Sequence, residues 1–188
     1  FVGDDPGDVY DTHYGNNDVV GPNADHGTHV AGIIAANRNN DAGINGIAQR
    51  VLIMPIRVIP RGDERDKDVA LAVRYAVDNG AQIINMSFGK SYSPYRSLVG
   101  QALKYAESKN VLIVHSAGNS GADLDQEEHY PSRRVANVES WIEVGASGPL
   151  KDKDLVYSSS NYGRTSVDLF APGVGIKSAI SGNKYAVY

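Results

Sequence analysis

Four largely apolar runs, 51-VLIMPIRVI-59, 82-QIINMSF-88, 111-VLIVHSA-117 and 141-WIEVGAS-147, recur along the chain, and amphipathic segments lie between them. From Asp66 to Asn79 the apolar residues Val69, Ala72, Val73, Ala76 and Val77 repeat at helical spacing, with Gly80 as the stop signal. A second such segment carries Leu98, Ala102, Tyr105 and Ala106 on one face; Ser93 reads as its N-cap, Pro94 as its first helical residue and Asn110 as its end. Apolar runs bounded by breakers read as strands buried on both faces. This alternation predicts an α/β fold with a mainly parallel sheet and right-handed crossovers. In such sheets chemistry collects beyond the carboxyl ends of the strands, which points to 87-SFGK-90 and 116-SAGNSG-121.

The remaining sequence is consistent with one domain. Its 188 residues are 41% hydrophobic and 21% charged, enough to bury a core without metals or disulfides. A net charge of −4 with scattered lysines and arginines argues against a nucleic-acid partner. No run approaches the roughly 18 apolar residues of a membrane span. Cysteine is absent, so there is neither a disulfide framework nor a thiolate zinc site. Residues 1–24 are rich in Asp, Asn and Gly without periodicity and read as a surface loop or insertion. A helix of small residues is expected over about His26–Ala36, a polar loop over 37–46, and further strands at 166–170 and 176–181. The start at Phe1 and the strand-like finish 181-SGNKYAVY-188 both read as cuts in a longer chain.

Three places could carry chemistry. His26 stands at the mouth of the first helix, where a general base for nucleophilic catalysis could be held rigidly. Alone it reads better as a surface histidine. Paired with His29 it makes a poor zinc site, because helical zinc pairs prefer a spacing of four. Asn119 follows a buried strand among glycines, where a side-chain amide can donate to an oxyanion, or simply occupy a turn. The strand end 85-NMSFG-89 offers free backbone to an extended peptide.

Together these motifs resemble the subtilisin-like serine peptidases, the subtilases. His26-Gly27-Thr28-His29-Val30-Ala31-Gly32 is similar to the family's histidine motif, Asn85-Met86-Ser87-Phe88-Gly89 to its S1-lining strand, and Ser116-Ala117-Gly118-Asn119 to its oxyanion loop. Ala171-Pro172-Gly173 followed by Gly182-Asn183-Lys184-Tyr185 resembles the approach to its nucleophile. The resemblance implies a three-layer fold with a mainly parallel central sheet flanked by helices, incomplete in this chain. It implies His26 as catalytic base, Asn119 as oxyanion donor and His29 as structural. The backbones of Ser87, Phe88, Gly89, Ser116, Ala117 and Gly118 would wall the substrate cleft.

The same resemblance implies hydrolysis of protein or peptide substrates without an obligatory cofactor or a catalytic metal. A structural calcium ion on Asn40 and nearby carbonyls, a propeptide, and a secreted or cell-envelope location are further family expectations. The triad's serine is expected just past Tyr188 and its aspartate upstream of Phe1; Asp5-Pro6-Gly7 has the letters of the aspartate turn but lacks the preceding strand. The acidic stretch 123-DLDQEEHYP-131 suggests a preference for basic residues at P1. The alternative is an inactive peptide-binding relative that keeps the cleft without a working triad.

Overall fold

The computed structural model describes residues 3–59, 62–149 and 155–188, and divides the chain into two compact units. The larger unit comprises residues 1–15 and 57–173, the smaller residues 16–56 and 174–188. Phe1 and Val2, at the start of the loop-rich segment, lie outside the described residues.

In the smaller unit, α1 spans Asp25–Ala35. Strands β5 (Lys177–Ile180) and β6 (Lys184–Val187) form an antiparallel hairpin that packs against it. Gly32 is required there: a Cβ would sit 2.4 Å from Ser178 Oγ, whose hydroxyl donates to His29 O at 2.7 Å. The polar loop after α1 folds back, with Gly46 N donating to Ala36 O and Ile47 N to Ile33 O, both at 2.9 Å. These bonds satisfy carbonyls that a helix end leaves without partners.

The larger unit is built on a four-stranded parallel sheet, β1 (Ile83–Met86), β2 (Leu112–Ser116), β3 (Trp141–Ser147) and β4 (Leu169–Pro172), in that order across the sheet. Helices α2 (Asp66–Asp78) and α3 (Arg96–Ser108) pack on each other, and a short α4 (Arg133–Ala136) joins α3. Val69, Val73, Val99, Leu103 and Ala106 from the helices close one core with Met86, Ile113 and Trp141 from the sheet. Burying each large aliphatic side chain contributes about 1.5–3 kcal/mol, so this core is the main source of cohesion.

Three sequence expectations change. The run 51–59 joins no strand among the described residues, and Leu52 is 99% exposed. Apolar composition alone does not make a strand, because a ladder requires a neighbour to accept its backbone bonds. Ser93 does not cap α3, which begins at Arg96 after Tyr95. Instead the buried Asp66 carboxylate accepts from Ser93 Oγ at 2.8 Å and from Tyr95 N at 2.7 Å, while Lys90 Nζ lies 2.7 Å away. A charged acceptor from α2 thus holds the entry to α3 in place of a local hydroxyl. The strand expected at 166–170 starts later, at Leu169, and its neighbour Asp168 ties back to the sheet by accepting from Glu143 N at 2.7 Å.

Candidate active site

In the smaller unit the two histidines of the first motif separate cleanly. His29 is 5% exposed; its Nε2 lies 3.1 Å from Ile176 O and its ring 4.6 Å from that of Tyr188. His26, three residues earlier on α1, is exposed. The turn beneath it is fixed, because Asp25 Oδ1 accepts from Ser181 N at 3.1 Å and from the Ser181 hydroxyl. His29 is thus enclosed within the unit, while the His26 imidazole is presented from a fixed helix start.

In the larger unit, β1 and β2 run parallel with Met86 opposite His115, so both strands end side by side. Ser87–Gly89 and Ser116–Gly118, the segments expected to wall a cleft, leave from these adjacent ends. Phe88 turns its ring to the core, leaving its backbone for the wall. Ala117 is fully buried and its N–H donates to Val144 O at 2.9 Å. Asn119, two residues on, is exposed at the rim. Lys90 and Tyr130 exchange backbone bonds of 2.9 and 2.8 Å, which bring residues 129–130 against the exit of β1.

That bridge places His129 between the walls. A Cβ on Gly89 would lie 2.2 Å from its Nε2, and one on Gly118 3.1 Å. Burial, followed by the neighbouring His115, holds the His129 imidazole below its ordinary value of 6.5, with Glu143 opposing. Behind it, His115 Nδ1 pairs with Glu143 Oε1 at 2.9 Å and Trp141 Nε1 donates to Glu143 Oε2 at 2.6 Å. His129, Glu143, Glu127 and Asp125 border a cavity of about 160 Å³. Part of the acidic stretch thus borders this cavity, but Glu143 is already bonded twice and Glu128 pairs with Arg134.

Asp5 does not have the setting of a triad aspartate. Its Oδ1 accepts from Gly7 N at 2.9 Å within its own turn, and Lys67 Nζ holds its carbonyl. The calcium expectation meets similar engagement: Asn40 Oδ1 accepts from Ala42 N at 3.2 Å. Among the described residues no three His, Asp or Glu side chains gather to hold a metal ion.

The residue that sequence reasoning missed is Asn161. It is 1% exposed, and its carboxamide bonds to the loop on both sides of Asn119. Only its place after 158-SSS-160, a polar cluster bounded by strands, could have marked it, and that marks any turn.

Residues 4–187 match the model of the Subtilase family. The chain is 42% identical over 162 residues to a thermophilic serine proteinase of Bacillus sp. (strain AK1), covering 86% of this chain and 37% of that protein. It is 36% identical over 167 residues to a cell wall-associated protease of Bacillus subtilis (strain 168), covering 88% of this chain and 17% of the relative. A crystal structure of a cold adapted subtilisin-like serine proteinase superposes with a TM-score of 0.70 at 32% identity, over 87% of this chain and 54% of that one. The chain therefore spans less than two thirds of the length of these relatives, and its α/β fold is of the subtilisin-like type.

Proposed function

The chain belongs to the subtilase family, and on that premise we propose that the full-length protein is a serine endopeptidase in which His26 is the general base and Asn119 an oxyanion donor. The triad's serine and aspartate lie, in this reading, outside residues 1–188. The observation that carries it is the register of β1 and β2, whose ends leave two backbone walls with Asn119 exposed at their rim. An extended substrate can lay its backbone along such walls.

His26 removes the serine Oγ proton as that oxygen bonds to the scissile carbonyl carbon. The carbonyl oxygen takes the negative charge and accepts from Asn119 Nδ2 and a backbone N–H. His26 then gives the proton to the leaving amine as the C–N bond breaks, and water repeats the sequence to free the acid. Substrates are protein or peptide chains, and a propeptide lying along the same walls before maturation belongs to this reading. A secreted or cell-envelope location is supported by the cell wall-associated relative.

At P1 the reading departs from the basic preference suggested by the acidic stretch. His129 fills the space beside Gly89 and Gly118, and Glu143 is engaged by His115 and Trp141. Small uncharged P1 residues are therefore favoured.

The test is hydrolysis of a peptide library by the full-length protein and by its His26→Ala and Asn119→Ala variants. Activity should fall by several orders of magnitude for the first. For the second kcat should fall about 10²–10³-fold, the general cost of losing one oxyanion donor rather than a figure derived from this chain. A folded wild type that binds peptides without cutting them would instead identify an inactive peptide-binding relative.

A further inference from the structure

We propose that Asn161 is a positioning residue for catalysis, acting through the loop 116–122 that carries Asn119; this rests on the oxyanion role given to Asn119 above. Asn161 is buried to 1% exposure, yet it belongs to a separate loop more than forty positions from the start of the segment it holds. Its Nδ2 donates to Ala117 O at 2.7 Å. Its Oδ1 accepts from Ser120 N, Ser120 Oγ and Ala122 N, each at 2.9 Å. Its own main-chain N–H donates to Gly118 O, again at 2.9 Å. One residue therefore binds 117, 118, 120 and 122 and leaves 119 alone.

The pattern has a physical consequence. A loop leaving a buried strand end carries backbone donors and acceptors that need partners, and here a single carboxamide supplies them from both sides of the turn. Gly121 N to Ser159 O at 2.9 Å and Tyr162 N to Ala122 O at 3.0 Å extend the clamp. The approach is so close that a Cβ on Gly118, at φ +101°, would lie 2.6 Å from Asn161 Nδ2. The backbone on either side of Asn119 is thus fixed while its side chain stays exposed. An oxyanion donor is effective to the extent that it is oriented before charge develops. Asn161 touches no reacting atom; it sets where Asn119 points.

A double-mutant cycle on the full-length enzyme tests this, with Asn161→Ala and Asn119→Ala made singly and together. Asn161→Ala should lower kcat about tenfold with KM within about twofold, because a transition-state contact is loosened and ground-state binding is not. In the Asn119→Ala background the same substitution should change kcat by less than about twofold, since there is no donor left to orient. Binding of a peptide aldehyde, which forms the tetrahedral adduct, should weaken by the same factor as kcat. If Asn161→Ala does not accumulate folded, Asn161→Ser decides the same cycle; it is small and uncharged, and its single hydroxyl cannot reach both sides of the loop as the carboxamide does. Equal kcat losses in both Asn119 backgrounds, or an unchanged kcat in a folded variant, overturn the positioning role. Absence of hydrolysis by the wild type overturns the peptidase reading itself, and this inference with it.

Discussion

His129 is the residue whose environment makes the sharpest local predictions. Its ring edge lies against both wall glycines, so His129→Gly should open the slot. The ratio of kcat/KM for a P1 Phe peptide over its P1 Ala analogue should then rise about tenfold or more, as expected when a pocket gains room for apolar atoms. An unchanged ratio would show that the ring lies outside the substrate's path. The same residue links pH to stability. Burial and His115 keep its folded value below 6.5, so the unfolded chain takes up the proton first. Its contribution to stability is therefore present above about pH 6.5 and is lost as pH falls below that value. Urea midpoints for wild type and His129→Gly should converge on acidification from pH 8 to 5; parallel curves would contradict the assignment.

At the scale of elements, magnitude separates two ion pairs of the same chemical kind. Asp66 is buried with Lys90, and it also holds Ser93 and Tyr95 at the entry to α3. Asp66→Ala removes the counter-charge of Lys90, leaving its ammonium only Glu64 O, and takes the acceptor from Ser93 and Tyr95; it should destabilise the protein by about 3–5 kcal/mol. Arg134 pairs with Glu128 at the surface, with 61% of its side chain exposed, and Arg134→Ala should cost no more than about 1 kcal/mol. Denaturant unfolding of the two variants distinguishes them, and equal losses would contradict the burial argument. The Asp66 contact also shows where the sequence stopped being legible. Local rules nominate Ser93 as a cap because capping is usually local, but an acceptor 29 residues from Tyr95 takes that place. Contiguous signals fared better: β3 occupies Trp141–Ser147 as its apolar run predicts, and Gly80 ends α2 at φ +85°. The run at 51–59 failed for the opposite reason, since its strand character depends on a neighbour that composition cannot name. Asn161 was invisible because its role consists of bonds to residues 39–44 positions away.

For the whole molecule, the two units carry different halves of the proposed chemistry. His26 sits on α1 in the smaller unit, while Asn119 and the cleft walls belong to the larger. The motifs that mark them are short and contiguous, which is why the sequence alone can nominate these residues. Their division between units is not, because it depends on which loops pack together. Within the smaller unit, the β5–β6 hairpin fixes α1 through Ser178, Ser181 and Ile176. Ser178→Val should therefore impair activity through α1 even though it touches no proposed catalytic group. It should lower thermal stability in parallel, because Gly32 leaves no space for a larger side chain. Loss of activity without any change in melting would contradict a packing origin. The role of His26 is tested most directly by labelling the full-length protein with a fluorophosphonate and reading the adduct by intact and peptide mass spectrometry. One adduct is expected, on a serine outside residues 1–188, formed by the wild type and not by the folded His26→Ala variant. No adduct on the wild type, or labelling at the same rate in both, would contradict a serine activated by His26.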